Sequence, residues 1–579
     1  MFHVKRLPPV VLSALAIAVG GALATAPAVL AKPPAPPATA SKTGTGMVAA
    51  ANPMAVDAGL KVLRAGGSAV DAAVAVQAVL GLVEPQSSGL GGGAFMTFYD
   101  AKTHQVTAYN GREKAPESAG PDWFFGPDGK PVPKGVAIVG GRSAGVPGAV
   151  AMLYLAQSQH GKLAWKDLFG DAERLADGGF PVPHRMADAA SSRAPQASQP
   201  DAVAYFTKPD GTKVKYGDIM KNPAYAATVR KIAAEGPKAI LEGPIAQAIV
   251  ERLHQGPMPS TITLKDLASY KPKVGPALCK PYRIYVVCVP PAPSGGPGVL
   301  EGLGILANTD IPAHRNDVQG WYLFSQASRL MYADRDRYIG DPDFVDVPTE
   351  GLLDPAYLAG RAKLIDPVKA GPAPQPGTPK GAGVRAPDRT REPGGTTHFV
   401  IVDADGNAVS MTTTVESIFG DGRMVGGFFL NNQLTDFSFS PKEADGAPAA
   451  NAVAGGKRPR SSMSPAIVLD RQGRLVEAVG SPGGPSILAF VLKALVATLD
   501  WKLPMQEALA LPNLIAGGNF YASEPDKYPP GVVEGLAAKG VRLQGGSFGE
   551  GSGLHGIEVT PQGLRGGADP RREGVAKSS

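Results

Sequence analysis

Two threonines behind a glycine pair, Gly394-Gly395-Thr396-Thr397, stand where a Pro/Gly-rich stretch gives way to the strand-like run HFVIVDADGNAVSMTTTVE. A threonine hydroxyl held at a strand start beside a glycine carbonyl can attack that carbonyl, and hydrolysis of the resulting ester leaves a new N-terminal threonine. Its α-amine, with an ordinary pKa of about 8, can then act as base for its own hydroxyl, which is the N-terminal-nucleophile arrangement. The residues on either side of Ala404-Asp405-Gly406-Asn407 read as a hairpin. A turn centred there makes paired residue numbers sum to about 811, with Thr397 opposite Thr414, Thr396 opposite Val415 and Gly395 opposite Glu416. Two hydroxyls and a carboxylate then gather at one end of the hairpin.

A rival nucleophile stands at Gly141-Arg142-Ser143-Ala144-Gly145, a G-x-S-x-G match after the apolar run from Val136 to Val139. Such an elbow needs an ordered acid and histidine, and none stands out. Gly89 to Gly93 lacks both the G-x-G-x-x-G spacing and a Lys-Ser/Thr ending, so it is a structural turn rather than a phosphate cradle. With neither CxxC nor HExxH and only 8 scattered histidines, no metal site is expected. Cys279 and Cys288 are the only 2 cysteines, and the spacing allows either a bridge across a turn or two buried thiols.

The elements that must position these groups follow from pattern. Asn52-Pro53 is a helix start with a stop at Gly66-Gly67, and Ser68 with Asp71 has capping-box spacing ahead of an Ala/Val-rich helix over 69–83. GLGGGAFMTFYD reads as a turn feeding a strand. A second strand over Val106 to Asn110 leaves Arg112 just past its end. The region from about 140 to 365 is helix-rich with a strand at Arg283 to Val289. In residues 366–395, 13 of 30 are Pro or Gly, which excludes a core element, so Gly395/Thr396 is the sharpest boundary in the chain.

Composition narrows the function. The chain has 579 residues, 44% hydrophobic and 19% charged, which suits a globular protein rather than a disordered one. Residues 1–31 have a charged start, an apolar run from Val10 to Ala24 and small residues before Lys32, the pattern of a secretory signal peptide. The run of about 15 residues is short for a bilayer, which needs about 20. Residues 32–46 form a Pro/Thr/Ser-rich leader expected to be poorly ordered. The formal charge of +6 includes Lys5 and Arg6 and shows no basic stripe, so no nucleic-acid partner is expected. The mature protein should be exported, periplasmic or secreted, with no membrane span.

Several segments, in order, carry a resemblance: GMVAAANPMAVDAGLKVLRAGGSAVDAAVAV, GLGGGAF, NGREKAP, PPAPSGGPG, YADRDRYIGDPDF, GGTTHFVIVDADGNAV, FFLNNQLTDFS, KRPRSSMSP, GSPGG and the ADPR near 568–571. Together they resemble the γ-glutamyltranspeptidase (glutathione hydrolase) family of N-terminal-nucleophile hydrolases. The resemblance implies an α+β fold, a four-layer αββα sandwich, and one precursor that cuts itself into a large subunit (47–395, after the leader) and a small one (396–579). It implies transfer of γ-glutamyl groups from glutathione-like donors to water, amino acids or peptides through an ester on Thr396, with no cofactor and no metal. Thr414 matches the second threonine bonded to the nucleophile. Arg112, Ser461 and Ser462 match the holders of the donor α-carboxylate, and Gln433 and Asp436 match the other end of that pocket, where the α-ammonium lies. Gly483 and Gly484 match the oxyanion hole.

Two positions depart from the family pattern. Glu416 stands where some members carry Asn and others an acid, and it is expected to join the ammonium-binding wall. The lid over 438–456 is short, with Phe439 its single aromatic, which predicts an open site that admits bulkier donors or favours water. Other classes compatible with the sequence are a glutaryl or cephalosporin acylase, a poly-γ-glutamate depolymerase, a Ser143 hydrolase, and a non-catalytic relative.

Overall fold

Strand β1 (Met47–Ala50) leads into helix α1 (Pro53–Arg64), which Asn52 caps by accepting from the Met54 N–H. A reciprocal capping box between Ser68 and Asp71 starts α2 (Ala69–Val83), buried along its whole length as its small apolar residues require. The computed structural model describes residues 45–388, 390, 394–442, 446–546 and 551–579. The expected signal peptide, residues 32–44 of the leader, and residues 443–445 of the lid lie outside them.

The hairpin β2 (Gly93–Asp100) and β3 (Gln105–Gly111) ends one residue before Arg112, as its sequence suggests. Helix α3 (Ala149–His160) follows, then strands β4 (Lys273–Pro276), β5 (Leu278–Tyr282) and β6 (Tyr285–Val289) and helices α4 (Gly296–Ala307) and α5 (Val318–Tyr338). Past Thr396 come β7 (Thr397–Val402), β8 (Ala408–Thr414), β9 (Ala466–Leu469), β10 (Leu475–Gly480), α6 (Ile487–Leu499), β11 (His555–Thr560), β12 (Gly563–Ala568) and β13 (Val575–Ser578). Two antiparallel sheets result, with strand orders β13-β1-β7-β8-β2-β3-β4 and β12-β11-β10-β9-β6-β5. Strands from both sides of the Gly395–Thr396 junction share each of the two sheets, so that junction lies inside one folded unit.

Alternation along β7 sorts its side chains between two cores. Phe399 and Ile401 pack with α1, α2 and α3, whereas Val400 and Val402 meet Ile467, Ala478 and Ile557 of the other sheet. On the far side, Val468 and Val479 pack with α4, α5 and α6. A strand buried on both faces reads as the continuous apolar run HFVIV.

The hairpin register differs by one residue from that expected. Thr413 pairs with Thr397 and Ala408 with Val402, so paired numbers sum to 810. The cause is Asp403, whose carboxylate accepts from the backbone N–H of Asp405 and Asn407 and from the Asn407 side chain. It closes a three-residue loop with Gly406 at φ 88°. A one-residue slip moves every side chain to the other face, so Thr396, not Thr397, meets Thr414. Across the β5–β6 hairpin, Cys279 lies opposite Cys288 and a disulfide joins them with Cα atoms 4.1 Å apart.

Candidate active site

Thr396 immediately precedes β7 and is buried. Its Oγ1 lies 2.6 Å from the carbonyl oxygen of Gly395 and donates to Thr414 Oγ1 at 3.1 Å. Thr414 Oγ1 in turn donates to Gly395 O at 2.7 Å and accepts from the Glu416 N–H at 2.8 Å. Those bonds use the one proton and both lone pairs of the Thr414 hydroxyl. The junction residue must be glycine, because a Cβ on Gly395 would sit 2.6 Å from Glu416 O.

A cavity of about 20 Å³ opens at this point, lined by Arg112, Thr396, Thr414, Glu416, Gln433, Asp436, Ser461, Ser462 and Gly484, with Met463 and Ile487. Nine of the ten site residues expected from sequence therefore converge, and the tenth, Gly483, is the next residue back from Gly484. Arg112 is buried and fixed by three acceptors: Asp436 Oδ2 at 2.7 Å and the carbonyls of Pro459 and Arg460. Beside it Glu113, fully buried 3.9 Å from Nη1, is pushed up to about 8 by burial, which the Arg112 charge only partly offsets.

Asp436 also belongs to a cluster of carboxyl and amide groups lining the cavity. Gln433 Nε2 donates to Asp436 Oδ2 at 2.6 Å, and Asn432 Nδ2 donates to Glu416 Oε2 at 2.5 Å. Gln433 Oε1 is buried and accepts no hydrogen bond from the described residues, and the Glu416 carboxyl lies within hydrogen-bonding reach of the Asp436 carboxyl. Glu416 has φ 83°, a strained left-handed conformation for a non-glycine residue. Burial, and then the negative charge of Asp436, hold its carboxyl well above the usual range.

Behind these groups the quoted motifs find their places. In FFLNNQLTDFS, Asn431 bonds Gly91 and both backbone groups of Gly145, while Asn432 holds Glu416 and Ser417. The G-x-S-x-G segment is thus docked backbone. Ser143 is buried, its Oγ has no partner among the described residues, and a helix over Lys134–Ile138 precedes it where an elbow needs a strand. PPAPSGGPG supports the serine pair, with Ser461 N–H donating to Pro293 O. Gly483 and Gly484, at φ 132° and 56°, turn the chain into α6, whose N-terminus carries partial positive charge. Described parts of the lid pack down, Phe439 stacking on Phe124 at 4.4 Å.

Sequence reasoning passed over Arg335 and Arg572. Arg572 donates to the carbonyl of Thr396 at 2.9 Å, and Arg335 Nη2 donates to Ser462 Oγ at 2.6 Å. The signal was present in both cases: one adjoins the ADPR segment and the other lies inside YADRDRY. No group of three or more His, Cys, Asp or Glu suited to a metal occurs among the described residues, and no described helix is long and apolar enough to cross a membrane.

The family model described as Gamma-glutamyltranspeptidase matches residues 55–579. The chain is 35% identical over 508 residues to the glutathione hydrolase proenzyme of Bacillus subtilis (strain 168), covering 86% of this chain and 84% of that one. It is 35% identical over 572 residues to the glutathione hydrolase proenzyme of Escherichia coli (strain K12), covering 93% and 94%. Among solved structures, the cephalosporin acylase from Bacillus halodurans superposes with a TM-score of 0.83 at 26% identity, over 95% of this chain and 98% of that one.

Proposed function

The chain belongs to the γ-glutamyltranspeptidase family and is a γ-glutamyltranspeptidase/glutathione hydrolase, and from that premise we propose that Thr396 is its nucleophile, released by self-cleavage at Gly395–Thr396. The observation that carries this is the Thr396 hydroxyl, set against the Gly395 carbonyl and bonded to Thr414 inside the cavity. In the precursor, attack by Thr396 Oγ1 on the Gly395 carbon develops charge on an oxygen that Thr414 already donates to. The ester hydrolyses, and the freed α-amine becomes the base for the second reaction. Thr396 then attacks the γ-carbonyl of the donor, Gly483 and Gly484 receive the oxyanion, and water or an amino compound accepts the acyl group. A cavity of about 20 Å³ holds one water, so the donor enters once the residues before Thr396 have left.

Substrate choice follows from the groups that line the cavity. Arg112, Ser461 and Ser462 are donors suited to the α-carboxylate. An ammonium offers three protons and no lone pair, which suits the carboxyl and amide oxygens of Glu416, Gln433 and Asp436 that line the cavity. A glutaryl acyl group has no α-amine to meet these oxygens. We read the helix, sheet, sheet, helix packing as the four-layer αββα sandwich, with residues 47–395 and 396–579 as its two subunits. The N-terminal pattern and the disulfide support export.

The test is a denaturing gel with N-terminal sequencing of the purified protein and of Thr396→Ala. A small band beginning Thr396-Thr397-His398, missing from the variant, is the expected result. One uncut, active chain would refute it.

A further inference from the structure

The YADRDRY run, Tyr332 to Tyr338, forms the last turns of α5 and belongs to the segment before the junction, yet its side chains reach the site from behind. Tyr332 donates to Pro485 O at 2.6 Å, holding the turn that contains Gly483 and Gly484. The Asp336 carbonyl accepts from the Asp388 N–H, which anchors the chain ahead of the junction. Arg335 is almost fully buried, at 2% exposure, and donates from Nη1 to Asp336 Oδ1 at 2.9 Å and from Nη2 to Ser462 Oγ at 2.6 Å.

We propose that Arg335 is a positioning residue that sets the direction of the Ser462 hydroxyl and so determines recognition of the donor α-carboxylate. A serine hydroxyl has one proton and two lone pairs and by itself accepts as readily as it donates. A guanidinium only donates and does not lose its charge. With Nη2 on one Ser462 lone pair, that lone pair is kept from facing a carboxylate, and Ser462 lines the cavity. A carboxylate there can only accept, so a hydroxyl turned to donate suits it and one turned to accept repels it. This inference rests on the reading that Ser462 holds the donor carboxylate.

The test uses the processed enzyme with two chromogenic donors, γ-glutamyl-p-nitroanilide and 4-aminobutyryl-p-nitroanilide, which differ only in the α-carboxylate. Arg335→Gln should raise KM for the first about 10- to 100-fold, with kcat within about threefold, and leave kcat/KM for the second unchanged. Arg335→Lys, which keeps a charged donor, should recover part of the loss and decides the matter if the Gln variant does not fold. In a Ser462→Ala background, replacing Arg335 should add nothing, because the two act as one unit. Equal losses on both donors, or full additivity, would overturn the proposal. If Ser462→Ala leaves KM for γ-glutamyl-p-nitroanilide unchanged, the carboxylate reading itself fails; if it raises KM and Arg335→Gln does not, only the role of Arg335 fails.

Discussion

Removing the Thr414 hydroxyl while keeping its shape, as in Thr414→Val, separates two accounts of why that threonine stands beside Thr396. Thr414 Oγ1 donates to Gly395 O at 2.7 Å and accepts from Glu416 N–H and from Thr396. If it merely tidied the ground state, its loss would be that of an ordinary neutral hydrogen bond, about 1 kcal/mol or roughly fivefold in rate. If it stabilises charge developing on the Gly395 oxygen during self-cleavage, the loss is that of an oxyanion donor, about 3–4 kcal/mol or roughly 10²- to 10³-fold. The second outcome is the one expected, since Thr414 Oγ1 donates to the oxygen that would gain charge. The assay is the time course of conversion of freshly purified precursor into two fragments on a denaturing gel. Thr414→Ser serves as control, because it keeps the hydroxyl and should cleave within a fewfold of the parent. Cleavage of Thr414→Val at or near the parental rate would refute the role given to Thr414, and a loss in Thr414→Ser as large as in Thr414→Val would show that packing of the methyl group, not the hydroxyl, matters.

The remaining expectations concern the donor pocket. Burial and Asp436 raise Glu416, so the empty site holds a proton there that a bound α-ammonium displaces. Affinity for glutamate should therefore increase as pH rises towards the raised pKa, with proton release visible by calorimetry in buffers of different ionisation heat, and Glu416→Gln should abolish both effects. The short lid should let polymeric γ-glutamyl donors be cleaved with kcat/KM within about tenfold of glutathione; strict preference for glutathione would sink the open-site idea.

Much of the site was legible because its chemistry is local or ordered along the chain. The Asn52 and Ser68 caps, the hairpin around Gly406 and the end of β3 before Arg112 are set by neighbours within a few residues, and the helix and strand limits there agree with expectation. The junction glycine and the threonine pair are residue types that a self-cleaving nucleophile needs, and the resemblance of the surrounding motifs is what singles them out. What sequence left open depends on distances between remote segments. Whether Thr396 or Thr397 meets Thr414 turns on one residue of register, decided by how the Asp403 carboxylate gathers the loop. The pairing of Cys279 with Cys288 needed the β5–β6 register. That Arg335 backs Ser462, and that Arg572 grips the carbonyl of Thr396, needed contacts between residues 127 and 176 positions apart. Local hydrogen bonds and hydrophobic period write the elements into the sequence, whereas a side chain's partner across the core is fixed only when two sheets and their helices close on each other.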